Sequence, residues 1–165
     1  MDKYYYVISQ LPVLFFDKDT FMTIDYFLEE TQKWLTPTDY NILSNVNINS
    51  QTWDKQAPKL LQEIVQVEHN FRSELALWRK SMRAGQEYKP TTFSLALVKE
   101  GNPLDIEKKI LKSKWDYLEE KEHDHHFDLE FLIIYLMKLQ ILHKLSIFSK
   151  EKGMENFQNI SKVTI

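Results

Sequence analysis

The sequence predicts an all-α fold, an elongated helical bundle in which two or three long helices surround a central apolar helix. Apolar residues recur at spacings of three and four along much of the chain, which is the period of an amphipathic helix. Helix start signals precede several of these stretches. Residues 129–137 are nearly all apolar, so a helix built from them has to be buried on most sides. We interpret residues 1–165 as a single all-helical domain.

The N-terminal part is predicted to contain three short helices. Residues 4–11 favour a helix, because a lone strand would have no pairing partner, although their tyrosines suit a strand. Thr23 is placed to cap a helix over residues 24–35, and Thr36-Pro37 forms the next start signal. Residues 44–51 are rich in asparagine and serine and predict a loop.

The longest regular segment is predicted over residues 57–84, ending before Gly85. Its apolar stripe consists of Leu60, Ile64, Val67, Phe71, Leu75, Trp78 and Met82. At 1.5 Å per residue this helix would be about 40 Å long, which favours an elongated molecule. Residues 85–101 are predicted to be irregular. The apolar side chains expected to pack them on the bundle are Phe93, Leu95, Leu97 and Val98.

Two long helices are predicted in the back half of the chain. Asn102-Pro103 begins the first. Its apolar stripe comprises Leu104, Leu111, Trp115 and Leu118. The second helix is expected from Asp128 to Phe148, at the centre of the fold. A turn over residues 149–153 and a short closing helix over residues 154–160 are predicted to follow.

The four tryptophans divide into two groups. Trp34, Trp78 and Trp115 fall on the predicted stripes and are expected in the core. Trp53 lies in the loop region and is the better candidate for an exposed binding anchor, because tryptophan is enriched at interface hot spots.

The composition argues against several classes of function. The absence of cysteine excludes disulfides, zinc–thiolate sites and thiol nucleophiles. The three glycines lie far apart, so we expect no phosphate-binding loop and no bound nucleotide. A net charge of −3 argues against a nucleic-acid partner. The longest uninterrupted apolar run, residues 131–137, is too short to cross a bilayer, so we expect a cytoplasmic protein without direct membrane insertion.

A histidine cluster is the sharpest candidate for chemistry. Glu120-x-x-His123 and Glu122-x-x-His125 match the spacing found in di-iron bundles, but such sites draw two motifs from separate helices. We therefore expect no physiological metal, no cofactor and no catalytic residue, although His123, His125 and His126 can bind a divalent ion adventitiously. Whether the cluster binds metal in the cell stays open.

Carboxylates crowd the predicted end of the first back-half helix. These residues are Glu119, Glu120, Glu122 and Asp124. Negative charge at a helix C-terminus opposes the helix dipole and costs a few tenths of a kcal/mol per group. Two interpretations remain: a helix end that frays in solvent, or a binding surface for a basic partner, and we take the four residues as candidate partner-binding residues.

Several segments together resemble an uncharacterised bacterial family encoded beside V-type ATPase subunits. They are Tyr4–Pro12, Phe27-Leu28, Thr36–Tyr40, Gly101–Leu104 and His125–Leu132. More remotely, the tyrosine-rich start, Thr38 and Tyr40, the pair Ile106-Glu107 and the long apolar helix are similar to the C-type subunit of V/A-type ATPases, called the d-type subunit in eukaryotes. Proteins of that type are all-helical, lack catalysis and couple the central shaft to the membrane rotor ring.

The resemblance implies a non-catalytic subunit, or an assembly or coupling partner, of a V-type ATPase. Its partners would be other ATPase subunits, and it would be cytoplasmic, or peripheral at the inner membrane through the ATPase. One alternative is a helical adaptor of another cytoplasmic complex. The other is a metal-dependent helical-bundle enzyme built on the histidine cluster.

Overall fold

A computed structural model describes residues 2–52 and 54–163, with side chains for residues 3–52 and 54–150. Within these ranges the chain forms seven α-helices and no strand, so the predicted all-α class is confirmed. In chain order the helices are α1 (Asp2–Ser9), α2 (Ile24–Gln32), α3 (Pro37–Ser44), α4 (Lys59–Arg83), α5 (Leu95–Lys99), α6 (Pro103–Glu122) and α7 (Leu129–Val163).

The predicted helix starts are present and are made by side chains. Thr23 Oγ1 accepts the Tyr26 N–H at 3.1 Å at the start of α2, and Thr36 does the same for Asp39 at 3.2 Å in α3. The Asn102 side chain accepts the Asp105 N–H at 2.9 Å at the start of α6. Each bond satisfies a backbone donor that the helix itself leaves free. These helices therefore begin where short-range chemistry dictates.

The core is organised around α7. Leu132, Ile133 and Ile134 are fully buried, as expected for the apolar run. Each of α1, α2, α3, α4 and α6 contributes buried residues to the same cluster, and these include Val7, Phe27, Leu43, Leu60, Ile64, Leu111 and Trp115. Gln140 of α7 clamps the loop after α3: its amide donates to the Val46 carbonyl and accepts the Ile48 N–H, both at 2.8 Å. Burial on most sides of residues 129–137 is therefore confirmed.

A second, smaller cluster lies along the far half of α4. Leu75, Phe93 and Val98 form it, with Phe71 and Trp78 packed against them. Phe93 and Val98 pack as predicted, but residues 95–99 form the short helix α5 instead of irregular chain. The buried carboxylate of Glu74 accepts hydrogen bonds from Thr91 and Thr92. Burial alone would raise the pKa of Glu74, but these bonds hold it below its ordinary value.

Two tryptophan positions and part of the α4 stripe differ from the predictions. Trp115 is buried, but Trp34 is 41% exposed, because α2 ends at Gln32 and the helical period no longer applies to the residues beyond it. Trp78 is half-buried. On α4, Val67 and Met82 are exposed, since only a narrow face of that helix is covered and Glu68 occupies part of it.

The predicted turn over residues 149–153 is wrong. α7 continues through it to Val163 and absorbs the predicted separate helix over residues 154–160. An isolated glycine such as Gly153 weakens a helix by about 1 kcal/mol relative to alanine but does not have to end it. At the end of α4, by contrast, Gly85 has φ of +70° and ends the helix as predicted.

One segment of α7, Leu129–Lys150, is long and apolar enough to cross a membrane by length and composition. Its most apolar window is 61% buried inside the protein, and the core helices of soluble proteins give the same signal. The absence of direct membrane insertion stays a prediction.

The continuity of α7 can be tested with alanine in place of glycine. Gly153→Ala should increase stability by about 0.5–1 kcal/mol, because alanine is the better helix former. Gly85→Ala is the matched control and should destabilise by about 1 kcal/mol, because its left-handed backbone strains any side chain although its surroundings are open. Denaturant melts followed by circular dichroism measure both effects. If both variants lose stability, the result would instead support the predicted turn over residues 149–153.

Candidate functional site

The candidate site is the connection between α6 and α7, residues 119–128, which we call the acidic joint. α6 ends at Glu122, and two turns follow in which Asp124 N–H and His125 N–H donate to the carbonyls of Lys121 and Glu122. Asp128 then begins α7 by accepting the Phe131 N–H at 2.9 Å. The joint is thus a short, hydrogen-bonded reversal that sets α6 against α7.

A buried lysine faces the joint from the middle of the apolar helix. Lys138 is only 6% exposed, and its ammonium group pairs with the carboxylate of Glu122 and lies 3.8 Å from Glu119 Oε1. The same ammonium group lies 5.0 Å from the centroid of the Trp115 ring. The Trp115 indole N–H donates to Glu119 Oε1 at 2.8 Å. Two of the crowded carboxylates therefore have their partners inside the chain.

The contacts divide the four candidate partner-binding residues into two pairs. Glu119 and Glu122 hold Lys138 and Trp115, so their unfavourable position on the α6 dipole is offset within the protein. Glu120 and Asp124 are exposed and form no salt bridge with any described side chain. Binding of a basic partner by these four residues stays a prediction. Glu120 and Asp124 are the two whose carboxylates form no salt bridge with a described side chain.

The potential metal ligands that lie close together in the structure differ from the histidine cluster singled out from the sequence. Ligand atoms of His125, Asp128 and Glu130 lie within 4.8 Å of one another, whereas His123 and His126 are exposed. His125 Nδ1 lies 2.8 Å from Asp128 Oδ2, and Asp128 already caps α7. All three residues come from one segment, unlike the facing helices of a bundle metal site. The absence of a physiological metal stays a prediction.

Beside the joint lies a row of exposed rings, which we call the aromatic strip: Phe127, Tyr5, Tyr6 and Trp34. Ring centroids are 5.2 Å apart for Phe127 and Tyr5, 6.0 Å for Tyr5 and Tyr6, and 5.6 Å for Tyr6 and Trp34. The four side chains are 41–54% exposed. The strip joins α1, the end of α2 and the acidic joint into one surface.

This strip is not among the features predicted from the sequence, although the sequence contains a signal for it. Three consecutive tyrosines, Tyr4, Tyr5 and Tyr6, cannot all face the core from one helix, because successive residues point about 100° apart. Trp53, the predicted exposed anchor, lies outside the described residues.

α1 is fastened beside the joint by its first tyrosine. Tyr4 Oη donates to Asp39 Oδ2 at 2.5 Å, and the buried Val7 and Ile8 anchor the same helix in the core. Burial, this hydrogen bond and the negative charges of Asp39, Glu130 and Asp128 all raise the pKa of Tyr4. Tyr5 of α1 packs against Phe127, which directly precedes Asp128 at the start of α7, so the aromatic strip has a carboxylate at its border.

Comparison with known protein families gives a match in the C-terminal part of the chain. A family described as "Protein of unknown function (DUF2764)" matches residues 91–164, which is somewhat less than half of the chain. The matched part contains α5, α6, the acidic joint and Lys138. No curated protein and no solved structure matches the chain.

The pairing of Lys138 predicts an asymmetric response to mutation. Glu122→Gln should destabilise by roughly 2 kcal/mol, because it deprives a buried ammonium group of its main partner. We expect less than the 3–5 kcal/mol typical of a broken buried pair, because Glu122 is 32% exposed and Glu119 remains nearby. Lys138→Met should cost less than Glu122→Gln, because the carboxylate left behind can be hydrated while the apolar stem is kept.

Glu120→Gln is the control, with an expected change under about 0.5 kcal/mol for an exposed residue. Urea denaturation of the three variants gives the ranking. Equal effects of Glu122→Gln and Glu120→Gln would mean that Lys138 does not depend on Glu122.

Proposed function

We propose that this protein is a non-catalytic subunit, or an assembly or coupling partner, of a V-type ATPase, similar to the C-type subunit, and that it acts through protein–protein contact. The observation that carries the binding role is the aromatic strip, in which four half-exposed rings contact one another in sequence. Tyrosine and tryptophan are the residue types enriched at interface hot spots, and contiguous exposed apolar surface is typical of interaction sites.

The choice of the V-type ATPase as the partner rests on the sequence resemblance. Two of the segments that carry it, Tyr4–Pro12 and His125–Leu132, also supply three of the four rings of the strip: Tyr5, Tyr6 and Phe127. The segments that carry the resemblance therefore contain exposed aromatic residues. Tyr5 and Tyr6 are not needed to fill the core, so their presence in these segments supports a docking role. The helical fold is compatible with this role.

The charge around the strip indicates the chemistry of the partner. Glu120 and Asp124 are exposed in the acidic joint, and Asp128 directly follows Phe127 of the strip. A partner surface with lysine or arginine beside apolar side chains would gain cation–π contacts with the rings and a faster encounter through opposite charge. Binding of that kind weakens as salt is added.

The long helices suit a mechanical role. α4 has 25 residues and α7 has 35, so at 1.5 Å per residue they are about 38 Å and 52 Å long. We propose an elongated bundle in which these rods hold neighbouring subunits in register or transmit torque. The protein would work in the cytoplasm, or at the inner membrane through the ATPase, without binding nucleotide or nucleic acid.

Affinity purification from the native cell tests this function. V-type ATPase subunits should co-purify with the wild-type protein and be depleted roughly tenfold or more by Tyr6→Ser combined with Trp34→Ser, as expected when hot-spot rings are removed. Phe21→Ser is the matched control, because Phe21 is 78% exposed but lies outside the strip. Glu120→Lys with Asp124→Lys should weaken recovery most at low ionic strength, where the attraction is least screened.

Three results would contradict the proposal. If the wild type recovers none of the ATPase subunits, the V-type ATPase assignment fails. If a different set of proteins is recovered and lost with the strip variants, the protein is a helical adaptor of another complex. If the strip variants retain every partner as well as Phe21→Ser does, the docking surface lies elsewhere.

Elemental analysis addresses the enzyme alternative. Tag-free protein should contain well under one tightly bound metal ion per chain, because His125, Asp128 and Glu130 come from a single segment and Asp128 is engaged as a helix cap. A stoichiometric metal that survives chelation, and that is lost in His125→Ala, would favour a metal-dependent helical-bundle enzyme.

A further inference from the structure

A cleft of about 270 Å³ lies between α4 and α6, on a part of the molecule that neither the joint nor the strip includes. Its base is apolar and buried, and it consists of Ile64, Ile110, Leu118 and Met137. Val67 stands in the wall and is 45% exposed, so the cleft opens to solvent there. An apolar cavity of about 150 Å³ is large enough to hold benzene, so this cleft has room for a bicyclic aromatic molecule.

The charges in the lining of this cleft cancel. Its two charged residues are Glu68 and Lys114, and the carboxylate lies 3.0 Å from the ammonium group, so they form an ion pair between α4 and α6. Glu68 is only 6% exposed. Arg72 also pairs with Glu68, but it is part-exposed and lies outside the lining. No net charge is therefore left in the cleft for a ligand to neutralise.

This neutral lining selects against charged ligands of either sign. An anion would lie against the Glu68 carboxylate, and a cation would lie against the Lys114 ammonium group. Either ion would have to lose its water without gaining a free counter-charge, or it would have to break a buried ion pair, and both are costly. A neutral ligand leaves the pair of Glu68 and Lys114 intact.

Uncharged polar groups and aromatic rings complete the walls. Ser113 and Tyr117 of α6 line the cleft, and each carries a hydroxyl that can both donate and accept a hydrogen bond. Phe71 of α4 and Tyr117 supply aromatic side chains, which pack favourably against another ring. The cleft thus combines an apolar base with aromatic side chains and hydroxyl groups.

We propose that this cleft binds a small neutral bicyclic aromatic molecule that carries a hydroxyl or carbonyl group. The rings lie on the buried base, and the polar group is hydrogen-bonded by the hydroxyls of Ser113 and Tyr117. The ion pair of Glu68 and Lys114 stays closed when the ligand binds. This site is independent of the proposed docking function, which uses other residues.

Three probes that share a naphthalene ring test the selection by charge: naphthalene-2-methanol, 2-naphthoate and 2-naphthylmethylammonium. Titration of the wild-type protein, followed by amide chemical shifts in NMR, should show saturable binding of the neutral alcohol with shifts concentrated in α4 and α6. The two ions should bind roughly tenfold more weakly or worse, because neither finds a free counter-charge in the cleft.

Variants at the mouth of the cleft locate the site. Val67→Trp should weaken binding of the alcohol roughly tenfold or more, because the larger side chain occupies the opening without altering the buried base. Leu77→Trp is the matched control on the same helix and should leave binding unchanged, because Leu77 is 51% exposed and lies outside the lining.

A second pair of variants tests the hydroxyl groups. Ser113→Ala combined with Tyr117→Phe keeps the shape of the walls and should weaken binding of the alcohol roughly threefold or more, because hydrogen bonds to the ligand are lost. Ser73→Ala combined with Tyr26→Phe removes the same groups from exposed positions outside the cleft and should have no effect. Circular dichroism establishes that each variant is folded.

Any of three results would overturn the proposal. The first is no saturable binding of naphthalene-2-methanol to the wild type, in which case the cleft only separates α4 from α6. The second is binding of either ion as tight as that of the alcohol, which would show that the lining does not select a neutral ligand. The third is binding of the alcohol that neither Val67→Trp nor the double hydroxyl variant weakens.

Discussion

The burial of one ammonium group, that of Lys138, is the constraint on which the rest of the structure depends. α7 provides the centre of the core, and a lysine in the middle of that helix cannot lose its water without a carboxylate partner. Glu122 and Glu119 supply the partner from the end of α6. A shift of α6 along α7 would separate these groups, so we infer that the pairing sets the register of the two helices.

This register also positions the surface beside the joint. With α6 and α7 aligned, the joint can reverse the chain within a few residues, which places Phe127 against Tyr5. The same helix also holds the N-terminal part. Tyr135 stacks on Phe27 with ring centroids 5.3 Å apart, and its hydroxyl donates to the Pro12 carbonyl at 2.6 Å. The exposed rings are therefore displayed by a surface whose two halves are fastened to the same buried helix.

Local features of the structure could be predicted from the sequence, and features that depend on distant residues could not. Caps at Thr23, Thr36 and Asn102 involve residues three positions apart, so their signals are contained in the sequence window itself. The apolar run in α7 likewise required burial whatever surrounded it. The helical period predicts a buried Trp34, but α2 ends two residues earlier and the Trp34 side chain lies at the surface.

The candidate site was only half predictable for the same reason. The crowding of carboxylates at Glu119–Asp124 is visible in the sequence, but the partner of Glu122 is Lys138, sixteen residues later on another helix. In the sequence window around the end of α6, none of the four carboxylates has a visible partner. The pairing of Glu68 with Lys114 spans 46 residues, and no local pattern signals it.

The place of the core helix in the chain has a consequence for synthesis on the ribosome. Phe27, Leu43 and Ile64 emerge well before α7, which is the surface that buries them. At translation rates of about 5–20 residues per second, the interval between Phe27 and Leu132 lasts about 5–20 s. Throughout that time the nascent chain presents apolar side chains without their packing partner, so it is a natural client for chaperones that shield unfinished helical segments. Folding is then completed by the arrival of one helix rather than by gradual growth of the core.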